Sequence, residues 1–169
     1  LNARFNRWLR SRGRGAEQVR FQSIDRAALP ADVAEGIRAI EAAIGVSVEV
    51  VRNLTPEVER FNGFTFGDGQ IAIDERADQP ATLVAMHEWV HSLRDTAPDL
   101  YERLAAEVRR QGRLPAWANR MAAEGNRTDP DGVVEELVAD AVADAFTDAD
   151  FLRSLGQRDV GLFQQAAEA

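Results

Sequence analysis

Apolar residues along the chain fall into blocks with two different periods, and these blocks set the order of the expected elements. In "PADVAEGIRAIEAAIG" the residues Val33, Ile37, Ile40 and Ile44 recur at helical spacing, and Gly45 is placed to end the helix. "VSVEVV" at 46–51 alternates as a half-buried strand does. "QIAID" at 70–74 reads as a second strand, with Ile71 and Ile73 on one face. The intervening "NLTPEVERFNGFTFGDGQ" mixes turn residues with aromatics and reads as a loop or a short hairpin.

Residues 80–94 behave differently. Leu83, Val84, Ala85, Met86, Trp89, Val90 and Leu93 surround the helical wheel almost completely, so this helix is expected to be buried, with Pro80 in its first turn. Further helices are expected at about 98–111, 114–124 and 132–147, and a last one from Asp150 onward. Few strands and many helices make this an α+β arrangement. A length of 169 residues suits one domain with a real hydrophobic core.

Charge divides the chain unevenly. Residues 1–28 hold seven arginines (Arg4, Arg7, Arg10, Arg12, Arg14, Arg20 and Arg26) against Glu17 and Asp25, a balance of +5 that leaves −13 for the remainder of a chain at −8. The expected organisation is a basic N-terminal arm, 1–28, ahead of a body, 29–169, with "SRGRG" at 11–15 as a joint. Such an arm suits nucleic acid or an acidic surface. The plainer reading is a solvated helix, "FNRWLR", docked through Phe5, Trp8 and Leu9. The acidic body argues against nucleic acid as the partner, because phosphate binding wants basic surface. No apolar run approaches the roughly 20 residues of a membrane helix, so a soluble protein with no membrane partner is expected.

Cysteine is absent, which excludes disulfides, thiolate clusters and a cysteine nucleophile. A tightly held transition metal must then use His, Asp or Glu. Both histidines of the chain lie in "HEWVH", four residues apart within the buried helix, so His87 and His91 point the same way with Glu88 beside them. Two imidazoles one turn apart can grip one Zn²⁺ while the glutamate acts as general base. The bland alternative is a pair of satisfied histidines, but a lone charged glutamate on so apolar a helix would be costly.

A catalytic zinc site wants a third protein ligand, and no third histidine exists. The best donor lies in "DGVVEELVADAVADAF", residues 131–146, where Glu136 and Asp140 share one side of the wheel, opposite the broad face of Val134, Leu137, Val138, Ala141, Val142 and Ala145. Glu136 is expected to bind the metal and Asp140 to accept the free N–H of a ligand histidine. Glu135 lies elsewhere on the wheel and matters less, unless it reaches a ligand histidine from the side. Taken alone, such a stripe reads as a solvated face.

"HEWVH" followed 45 residues after His91 by Glu136-Leu-Val-Ala-Asp140 resembles the gluzincin branch of the zincin metallopeptidases. More narrowly, "HEWVHSLRDTAPDLYERL" with "EELVADAVADAFTDADFLRSL" is similar to zincin-like metallopeptidase domains embedded in large multidomain polypeptides of phages and other mobile elements. The similarity covers about residues 66–156. It implies a zincin fold, one zinc ion, a polypeptide substrate, and other domains of a parent polypeptide as partners, in a cell or delivered with a phage particle. It also implies that the strand before the active helix, here about Gln70–Asp74, forms the rim of a cleft and pairs with an extended peptide. The metzincin continuation fails, since Arg94 and Ala97 stand where its glycine and third histidine would be. For the oxyanion, Tyr101, Arg94 and Arg103 are all open candidates.

The expected activity is peptide hydrolysis by a water that the zinc acidifies and Glu88 deprotonates. A different class of reading is a non-catalytic, zinc-stabilised binding or structural module of a larger phage-type protein. An intact Glu88 argues against it, because a structural zinc site has no use for a base.

Overall fold

The computed structural model describes residues 1–11, 19–56, 61–66, 68–110 and 130–147. The elements are helix α1 (Asn2–Ser11), strand β1 (Phe21–Ser23), a 3-10 turn (Arg26–Ala28), α2 (Ala31–Ile44), β2 (Ser47–Asn53), β3 (Gly63–Thr65), β4 (Gln70–Asp74), α3 (Ala81–Thr96), α4 (Pro98–Arg110) and α5 (Pro130–Thr147). The molecule is mixed α+β, as the patterning implies. The helices expected at 114–124 and from Asp150, and most of the joint at 11–15, lie outside the described residues. Among the described residues no helix is long and apolar enough to cross a membrane.

Local chemistry explains where the elements stop. Gly45 adopts the left-handed conformation at φ 67° that closes α2, and its N–H returns to the Glu41 carbonyl at 3.1 Å. The carboxylate of Glu41 then accepts from the Val48 N–H at 2.9 Å and from the Arg26 guanidinium at 2.8 Å. Burial opposes its ionisation less than Arg26 favours it, so the Glu41 carboxyl sits below the usual range. That cluster ties the end of α2 to the start of β2.

The four strands form one sheet in the order β1-β2-β4-β3. β2 and β4 are parallel, with Val48 opposite Ile71 and Val50 opposite Ile73, while β1 and β3 run antiparallel to their neighbours. These four side chains face a core built with Ile37 of α2, Trp89 and Val90 of α3, Leu104 of α4, and Val138 and Val142 of α5. α3 runs through the middle, packed against α2, α4, α5, β3 and β4, which accounts for its apolar residues all round. Ala139, Ala141, Ala143 and Ala145 of α5 are all buried, and their small side chains suit close helix packing.

The opposite face of the sheet carries Phe21, Val51, Phe64 and Ala72, closed by Phe5 of α1. The Phe5 ring centroid lies 4.4 Å from Phe64 and 4.9 Å from Phe21, within the range where aromatic pairs attract. Residues 1–28, read from sequence as a basic arm, thus contribute a helix and a strand to the same sheet as the body. α1 also covers the sheet's first edge. Arg20 and Ile24 bond inward to β2, so Val19 and Phe21 turn their peptide groups outward. Asn2 pairs with both groups of Phe21 at 2.6 and 3.0 Å, and Asn6 with both groups of Val19 at 2.8 and 2.9 Å. Two amides one helical turn apart therefore take the place of a neighbouring strand, a form of edge protection.

One expectation is corrected. Gln70–Asp74 was expected at the rim, but β4 is an interior strand between β2 and β3, and the edge strand is β3. Ile71, Ala72, Ile73 and Asp74 are all buried, the pattern of a strand covered on both faces. β3 is three residues long, too short for alternation to reveal it in the sequence.

Candidate metal centre

α3 and α5 lie against each other, and their contact assembles the site. His87 and His91, one turn apart on α3, bring their Nε2 atoms to 3.0 Å. Glu136 of α5 reaches in from the facing helix, with one carboxylate oxygen 3.4 Å from His87 Nε2 and 3.6 Å from His91 Nε2. Bonds of about 2.0–2.1 Å to a tetrahedral ion would separate ligand atoms by about 3.3 Å. The three atoms are thus spaced as three corners of a coordination tetrahedron, and among the described residues they form the one group able to hold a metal ion.

The outer nitrogens show how the rings are held. His87 Nδ1 lies 2.8 Å from Asp140, and His91 Nδ1 lies 3.0 Å from Glu135. A carboxylate can only accept, so each Nδ1 donates a proton to its carboxylate, and Nε2 is the ring atom left to face Glu136 and a metal. Arg94 pairs with Glu135 from the solvent side and holds that carboxylate in turn.

Electrostatics agree with geometry. Burial pushes both imidazoles toward the neutral form, yet Asp140 and Glu136 around His87, and Glu135 and Glu136 around His91, raise both above the ordinary range. Burial raises Glu136 as well, but the two imidazoles more than offset it and hold the carboxyl well below the usual range. The raised imidazoles report a negative potential at the ring nitrogens that favours a cation. Glu88 differs. Burial raises its carboxyl above the usual range, with the histidines opposing and Glu136 reinforcing the effect, while the Thr65 peptide N–H donates to it.

The structure therefore brings His87, His91, Glu136 and Asp140 together as the sequence reading proposed. Glu135, left open in the sequence as reaching a histidine from the side, does reach His91. It stands beside Glu136 on the same turn and serves the second histidine, which a wheel drawn for one helix cannot reveal. Thr65 was missed because a loop or short hairpin gives no register for its residues. Tyr101 is buried on α4 in the main core, and burial lifts its phenol above the ordinary range, with Glu135 adding to the effect and Arg94 opposing it. Among the described residues its hydroxyl makes no hydrogen bond to the cluster. Arg94 pairs with Glu135 through Nη1. Comparison with known proteins gave no matching family model, no matching curated protein and no matching solved structure.

Proposed function

We propose that the chain is a zinc-dependent metallopeptidase with a zincin-like fold. The observation that carries this reading is the three-atom cluster of His87, His91 and Glu136, each histidine backed by its own carboxylate, with Glu88 next to it on α3. Two imidazoles and one carboxylate are a donor set suited to zinc, and three protein ligands leave a position for chemistry. When bound, zinc supplies a Lewis acid that polarises a peptide carbonyl and acidifies water near neutral pH.

The chain's own residues supply the rest. His87, His91 and Glu136 hold the ion, while Asp140 and Glu135 fix the ring orientation and make the imidazoles better donors. The Glu88 carboxylate takes the proton from the attacking water and delivers it to the leaving amine as the C–N bond breaks. The outward Gly63 peptide groups of the edge strand β3 would pair with an extended substrate, as exposed strand edges commonly do. The zincin resemblance and the order of strand, helix and carboxylate helix support the same reading.

The test is metal analysis of protein purified without added zinc, followed by incubation with an unbiased peptide pool with and without chelator. New cleavage products that disappear on chelation and return with zinc are expected. One equivalent of zinc with no cleavage would leave a non-catalytic, metal-stabilised module.

A further inference from the structure

Thr65 joins the edge strand to the general base. Its peptide N–H donates to the Glu88 carboxylate. The Asn62 carbonyl accepts from Asp74 at 2.8 Å, which turns Asn62 and Phe64 toward β4 and leaves the peptide groups of Gly63 and Thr65 facing outward. Gly63 permits the close approach, since a Cβ there would lie 2.5 Å from Val84 Cγ1 and 3.1 Å from Glu88 Cγ.

A three-residue edge strand is short to hold such a placement alone. The turn that follows it is gripped by α1. Arg4 pairs with Asp68 at 2.6 Å, donates to the Gln70 side chain at 3.1 Å, and lies 4.2 Å over the Phe66 ring. Phe5, the next residue, is 1% exposed and packs against Phe64 in the middle of β3. α1 is fastened in turn by the four hydrogen bonds of Asn2 and Asn6. A continuous path of contacts thus runs from α1 through β3 to Glu88, and none of its links is a metal-ligating side chain.

We propose that Arg4 and Phe5 are positioning residues for Glu88, holding β3 where the Thr65 peptide N–H meets its carboxylate. The effect on turnover rests on the peptidase reading, whereas the effect on Thr65 does not. Without this grip the hairpin drifts, Glu88 loses a charge-assisted donor, and its carboxylate samples unproductive orientations.

The experiment compares the full-length chain with Arg4→Ala, Arg4→Lys and the milder Phe5→Leu, reading amide hydrogen exchange by NMR, zinc affinity and peptide turnover. In Arg4→Ala and Phe5→Leu the Thr65 amide should exchange about tenfold faster, the factor expected for losing one charge-assisted hydrogen bond. Amides of α3 and α5 should keep their protection and zinc affinity should stay within about twofold, while turnover falls by about tenfold. Arg4→Lys keeps the ion pair but not the planar stack on Phe66, so it should recover part of each loss. Unchanged Thr65 exchange in folded variants overturns the proposal, and so does faster exchange shared equally by α3 and α5. If the Thr65 response appears in a protein that never cleaves peptides, the coupling stands and the peptidase reading falls.

Discussion

A Glu135 carboxylate oxygen lies 3.0 Å from His91 Nδ1, so the residue before Glu136 orients the His91 ring. Asp140 does the same for His87 at 2.8 Å. Removing either carboxylate leaves a ligand ring free to turn and a less basic Nε2. Glu135→Ala and Asp140→Ala should each weaken zinc binding by about 10–100-fold, the usual effect of losing such a partner. Glu136→Ala removes a ligand atom and should abolish tight binding. Zinc titrations with a competing chelator check the ranking, and a silent Glu135→Ala would show that His91 is held by something else.

The raised imidazoles predict opposite pH behaviour for the metal-free and zinc-loaded protein. In the metal-free chain His87 is pushed up to about 10 and His91 to about 9. Folded values above the unfolded one of about 6.5 mean that protonation favours folding. This contribution is complete below about pH 6.5 and disappears as the pH climbs through the folded values. Zinc competes with the same protons, so its hold strengthens as they leave. Thermal melts between about pH 6 and pH 9.5 should show the chelated protein losing stability and the zinc-loaded protein not following it. Parallel curves would mean that the histidines do not carry the linkage.

Gly63 offers a test of how tightly β3 meets α3. A methyl group there would lie 2.5 Å from Val84 Cγ1 and 3.1 Å from both the Ala72 carbonyl oxygen and Glu88 Cγ. Gly63→Ala should cost about 1–3 kcal/mol of stability, the range for overpacking a close contact. Zinc stoichiometry should be unchanged, because the ligands come from α3 and α5. Chemical denaturation and metal analysis check both parts, and a neutral substitution would show that the strand has room to move.

The long elements were legible because periodicity extends over several turns or residue pairs. The helix with His87 and His91 reads as buried from its apolar residues all round, and it proves to be the central helix. Gly45 marks the end of α2 in the sequence as clearly as in the structure. Phe21–Ser23 and Gly63–Thr65 are too short to carry a period, so β1 was not legible, β3 showed only as the short-hairpin alternative for the aromatic stretch before Gln70, and the identity of the edge strand was lost. Glu136 and Asp140 could be found because 40° on a helical wheel puts them together. Glu135 could only be left open as reaching a histidine from the side, because its use depends on how α5 crosses α3. The arginine count of residues 1–28 drew attention to charge, whereas Asn2, Arg4, Phe5 and Asn6 join that segment to the sheet through specific contacts.

In the proposed mechanism Glu88 is the general base beside a metal held by its neighbours. The most direct measurement of that role is peptide turnover by zinc-loaded Glu88→Gln, an isosteric change that removes the base and leaves the three ligands in place. The variant should bind one equivalent of zinc with unchanged affinity and lose about 10²–10⁴-fold in rate, the usual contribution of general-base catalysis. Turnover equal to that of the unmodified protein, at equal zinc content, would contradict the account.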